Sequence, residues 1–228
     1  ITSIGVIQGI GELSTRDGQL VMTEGVVTAK RGNGFFLRSF ASEGDAANDG
    51  DPATSEGIFV FTSAAPAMVV VGDHARVTGT VDEFFGSAET PTTEIVSPSV
   101  AVLATGIALP APVELTAAMA GPGSLPDALE PFEGMLVSVA NGVVTAQTNG
   151  FINESSATSG DSNTAFEFVI TDVPRPLREE GISIFDPFPV PPAKQATIPY
   201  FDANQERIKA FPLLGTRLVA DAGATVTD

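Results

Sequence analysis

Apolar and polar residues alternate with a period of two along much of the first half of the chain, which predicts strands rather than helices. Residues 19–29 (QLVMTEGVVTA) are rich in β-branched side chains with partial alternation. Arg31-Gly32-Asn33-Gly34 follows, and its Asn-Gly pair predicts a hairpin because both residues tolerate positive φ. Phe35 to Ser39 is then the returning strand, and 40–56 reads as a long polar loop. Gly57 to Thr62 is a third strand, with Ile58 and Val60 on one face and Phe59 and Phe61 on the other. After a small-residue turn, Val69 to Asp73 leads into a fourth, His74 to Phe84, in which Gly79 predicts a bulge or sharp bend. A fifth run, Thr92 to Leu103, carries Pro98, which predicts an edge position or a break.

Five strands in about 85 residues, with a Gly-Asp turn before a long glycine-bent strand, fit an OB-type barrel. Composition shifts at 104–131, where Ala, Pro, Gly and Leu dominate. The prolines leave one short helical candidate, Glu114 to Ala120, with Thr116 as an alternative cap. The second half then repeats the first. Gly25-Val26-Val27-Thr28-Ala29 returns as Gly142-Val143-Val144-Thr145-Ala146, and Asn33-Gly34-Phe35 as Asn149-Gly150-Phe151. The second copy reads as Glu133 to Ala146, a hairpin, Phe151 to Glu154, a polar loop, then Phe166 to Thr171. Residues 173–199 hold seven prolines and no convincing strand, and Glu206 to Phe211 and Leu213 to Val226 read as closing strands. The expectation is an all-β chain of tandem OB-like five-stranded barrels with short helical linker segments. Its first barrel is 1–105, a linker with a short helix is 106–132, and a second β domain with the Pro-rich insertion 173–199 is 133–228. The absence of a turn signal at Thr227-Asp228 predicts an end within or just before a further element.

Composition narrows the chemistry. The 228 residues include no cysteine and one histidine, His74, so thiolate metal sites, cysteine nucleophiles and any arrangement of two histidines are excluded within this chain. No strand–turn–helix elbow of the G-x-S-x-G type occurs. Lys and Arg number 11 against 28 Asp and Glu, for a net charge of −17. The deficit is shared between the halves, with 5 basic and 13 acidic residues in 1–105 and 6 and 15 in 106–228. Phosphate-backbone binding draws on clustered Lys and Arg, and an anionic membrane would repel this surface. Solubility, or divalent cations at extracellular levels, suits the acidity better. No apolar run is long enough to span a bilayer, and any export leader would precede Ile1.

The stretches TEGVVTAKRGNGFFLRS, DGDPATSEGIFVFT and VGDHARVTGTVDEF resemble the OB-like module near the N-terminus of large secreted bacterial nucleases. In that family the module precedes a catalytic domain of endonuclease/exonuclease/phosphatase type. PFEGMLVSV, VPRPLREEGIS and IPYFDANQERI resemble the segment that joins module to catalytic domain. The resemblance implies a secreted parent that hydrolyses phosphodiester bonds with a divalent metal held in that catalytic domain. None of the family's metal-binding carboxylates or paired histidines occurs here, so no catalytic residue and no cofactor carries over to this chain. The implied partner is the downstream catalytic domain of the same polypeptide.

Two candidate sites remain. Phe35, Phe36 and Phe59, with Arg38 and Arg76, could stack and hold single-stranded nucleic acid, as barrels of this kind do. The competing reading is core packing, since in each Phe-Phe pair one ring must point inward. Asp45, Asp49, Asp51 and Glu56 could bind Ca²⁺, although their spacing is not that of an EF-hand. The competing reading is a solvated acidic loop. Two functions follow: a non-catalytic region of a secreted nuclease that presents nucleic acid or positions domains, or an extracellular protein- or calcium-binding module unrelated to nucleic acid.

Overall fold

The computed structural model describes residues 1–40, 49–85, 91–120, 128–149, 165–170, 182–183, 200–201, 208–210 and 220–226. The chain is all-β apart from very short helical pieces. A five-residue helix α1, Ile4–Gln8, opens it, and no motif in the opening residues foretold this helix. Ile4 and Ile7, three apart, fall on one face of α1 and are buried in the barrel core, so packing stabilises a helix too short to stand alone.

Strands β1 (Leu20–Arg31), β2 (Gly34–Arg38), β3 (Gly57–Phe61), β4 (His74–Phe84) and β5 (Thr92–Ala104) close into a barrel of order β1-β2-β3-β5-β4. All neighbours are antiparallel except β3 and β5, which run parallel. Closure leaves no free edge around this ring. Its interior is filled by the inward-facing residues of every strand, among them Val21, Val27, Phe35, Leu37, Ile58, Val60, Val77, Val81 and Ile95.

Three local expectations are refined. The β1–β2 hairpin turns one residue early: Arg31 pairs with Gly34, so Gly32 and Asn33 form the turn. Gly34 is a strand residue, and a Cβ there would lie 2.4 Å from both the Phe59 ring and the Val60 carbonyl oxygen. The bulge expected at Gly79 is present as a register shift between Thr78 and Thr80. Pro98 does not break β5: Ser97 and Pro98 together oppose Gly79, and Ser97 adopts φ 50°, so the proline sits in the bulge where no ladder N–H is needed.

Beyond the barrel, β6 (Val113–Leu115) and β7 (Val137–Val139) form a parallel pair, and α2 (Ala117–Ala120) lies between them in sequence. The helical candidate 114–120 is thus split: Thr116 ends the strand side and its carbonyl accepts the Met119 and Ala120 N–H groups. A single 3₁₀ turn covers Glu130–Phe132. The stretch read as a linker contributes Leu115, Met119, Ala120, Leu129 and Phe132 to a second core.

That core is walled by β8 (Gly142–Asn149), β9 (Ala165–Ile170), β12 (Ile208–Ala210) and β13 (Thr225–Val226), in the order β12-β9-β8-β13. The third-strand candidate at 166–171 pairs directly with β8, in the role of β2. The return strand expected at 151–154 lies outside the described residues. Within the insertion, β10 (Ile182–Ser183) pairs in parallel with β11 (Tyr200–Phe201), so a strand occurs where the prolines suggested none.

Candidate functional site

Cross-strand register carries one row of side chains over the outer face of the barrel. Ala29 pairs with Phe36, Phe36 with Phe59, Phe59 with Glu94, and Glu94 with Asp82. Ile58 and Val60 point inward, so strand alternation turns Phe59 out onto this face. Phe36 and Phe59 touch at 5.0 Å between ring centroids, tilted by 54°. Phe35 points the other way and is fully buried in the core.

Only the aromatic half of the proposed stacking face is therefore assembled. Its other half is acidic. Glu94 is 5% exposed, and its carboxyl is pushed up to about 7, first by burial and then by Asp82 beside it. The cations near this face are engaged elsewhere. Arg38 donates from Nη1 to the Ala111 carbonyl at 2.7 Å, and Lys30 donates to the Val69 carbonyl at 2.7 Å. Burial lowers the Arg38 guanidinium from its ordinary value, while the charge of Glu56 acts against that shift. Arg76 donates to Glu24 at 2.6 Å, and His74 Nε2 stands 3.0 Å from the second oxygen of the same carboxylate. Burial tends to raise the Glu24 pKa, but the hydrogen bonds and charges of Arg76 and His74 outweigh it and hold the carboxyl below its usual range. Phe40 stacks edge-on against the His74 ring at 4.6 Å.

The acidic loop is organised by its own hydrogen bonds. Asp49 accepts from the Asp51 N–H and the Thr54 hydroxyl, and Asp51 accepts from the Ala53 N–H. Glu56 accepts from the Asp49 N–H and from the Ser39 hydroxyl, and burial raises its pKa. Asp45 lies outside the described residues. Asp49 and Asp51 thus act as turn acceptors and Glu56 ties the loop to Ser39; among the described residues no group of three His, Asp or Glu side chains is arranged to hold a metal ion.

A further carboxylate cluster carries no motif in the sequence. Thr93, at the start of β5, donates its N–H to Glu133 and its hydroxyl to Glu83, each at 3.0 Å. Glu83 also accepts the Ser14 N–H at 2.6 Å, while its second oxygen is buried with no hydrogen-bond partner among the described residues. Ser55 donates to the Glu133 backbone carbonyl at 2.5 Å. Burial, then the Glu130 carboxylate, pushes the Glu133 carboxyl up to about 9. The cluster joins the first barrel to the segment that feeds the second core. Its one trace in the sequence is Gly134, which follows Glu133 and lets the two backbones meet.

Among the described residues no helix is long and apolar enough to cross a membrane. Comparison with known protein families, curated proteins and solved structures finds no match to this chain.

Proposed function

We propose that this chain is the accessory, domain-positioning region of a secreted nuclease, built on an OB-type barrel and without chemistry of its own. The strand order β1-β2-β3-β5-β4 with a parallel β3–β5 pair supports the OB-type reading. The observation that carries positioning over nucleic-acid presentation is the bond from Arg38 to the Ala111 carbonyl. The guanidinium best placed to hold a phosphate on the Phe36–Phe59 face instead anchors the segment leading to the second core. Glu94 and Asp82 in the same row add repulsion toward a phosphate backbone.

Fluorescence anisotropy with labelled single-stranded DNA across a salt series tests this reading. The expected result is no saturable binding at low salt, with or without Ca²⁺. Salt-sensitive binding abolished by Phe36→Ala or Arg38→Ala would establish nucleic-acid presentation in its place. A shift in sedimentation on mixing the chain with a catalytic domain of such a nuclease is the positive counterpart expected of a positioning role.

A further inference from the structure

Two uncharged runs of the chain meet at one end of the first barrel. No charged residue lies between Glu56 and Asp73, nor between Glu94 and Glu114. The runs are joined where the Ile107 N–H donates to the Gly72 carbonyl at 2.8 Å, and where His74 at the start of β4 pairs with Ala104 at the end of β5.

The side chains at this end are apolar and open to water. Met68, Val70 and Val71 before β4, Val102 and Leu103 in β5, and Leu109 after it are each between 41% and 57% exposed. Strand alternation alone does not produce this. Val102 pairs with Ala75, a fully buried core residue, so it takes the core-facing side of β5 and yet stays exposed. Val100, two residues earlier, still packs against the core. Strand β3 flanks β5 at Glu94 and Ile95, near its start, and by Val102 the strand has run past the core it helps to close.

The charges nearest to this end are already paired within the chain. Arg76 and His74 both bind Glu24, at 2.6 and 3.0 Å. Asp73 is buried and accepts the Val70 N–H at 2.8 Å. A surface approaching here meets hydrocarbon and neutral backbone. The exposed Leu13 and Phe84, at the other end of β4, stand instead beside Glu12 and Glu83.

We infer that the uncharged end of the first barrel is the contact between two copies of this chain, paired about a two-fold axis. Each copy carries a net charge of −17, so two copies repel one another over most of their surfaces and approach most readily where charge is missing. A two-fold axis sets the same patch against itself, which an uncharged apolar surface permits and a like-charged one opposes. The six side chains leave roughly 500 Å² open, so pairing covers about 1,000 Å², where specific interfaces begin. The pair is therefore a reversible one.

Sedimentation equilibrium of the 228-residue chain, from micromolar to millimolar and at low and high NaCl, tests this. The expected result is a monomer–dimer equilibrium whose association constant rises with salt, because salt screens the repulsion between two acidic copies. Leu103→Glu and Val71→Glu change exposed positions on separate segments. Each should lower that constant at least about tenfold with the thermal midpoint unchanged. Leu13→Glu, at the other end of β4, should leave it as it is. Because the chain has no cysteine, Leu103→Cys should also form a disulfide-linked dimer in air faster than Leu13→Cys does. A chain that stays monomeric across both series would overturn the inference, and so would equal weakening by Leu13→Glu. An association constant that falls with salt would overturn it as well, since charged surfaces would then be the ones that meet.

Discussion

Gly57 and Gly134 meet backbone to backbone: a Cβ on Gly57 would lie 2.3 Å from the carbonyl carbon of Gly134 and 2.5 Å from its oxygen. Gly57 begins β3 of the closed barrel, and Gly134 lies between the 3₁₀ turn and β7. Neither neighbour is a flexible side chain that could swing aside. Gly57→Ala is therefore expected to separate the two segments at a cost of about 1–3 kcal/mol. Thermal unfolding would show a lower midpoint, and exchange at the Thr93 amide, which bonds to Glu133 nearby, would speed up. A substitution that leaves both readouts unchanged would show that the junction yields freely.

Glu133 makes the same junction sensitive to pH. Its carboxyl is pushed up from the ordinary 4.5 to about 9 by burial and by Glu130. Between those values the folded chain holds a proton that the unfolded chain has released, so stability falls as pH rises from about 4.5 toward 9, with a slope of about one proton. Glu94, pushed up to about 7, adds to the fall over the lower part of that range. Glu133→Gln has no proton to release. Its denaturation midpoint should exceed that of the parent chain at pH 8 and decline less between pH 5 and 9. Parallel pH profiles for the two proteins would refute the assignment.

Phe35 and Phe36 are neighbours in sequence and opposites in consequence. Phe35→Ala empties part of a closed core, where such a truncation costs about 3–5 kcal/mol. Phe36→Ala removes one tilted ring contact with Phe59 on the outer face and should cost about 1 kcal/mol. Urea denaturation of the two variants should separate them clearly. Equal losses would mean that the outer face is as tightly packed as the interior.

Alternation of side chains, the period that pleated backbone imposes on a half-buried chain, was enough to locate β1 to β5 from the residues alone. Gly79 marked its own bulge, and the GVVTA repeat marked β1 and β8 as counterparts down to the irregularity at Thr28 and Thr145. Each of these signals is local, because a strand's pattern and a glycine's missing Cβ act within a few residues. Tertiary structure decided the rest. It placed β3 parallel to β5, gave β9 to β8 as its direct partner, and brought Ile4 and Ile7 into the barrel core. It also set Glu24 between His74 and Arg76, and Thr93 between Glu83 and Glu133. Those pairings join residues far apart along the chain, and they depend on register and closure. A two-residue repeat states which face a side chain takes but not which distant strand lies beside it.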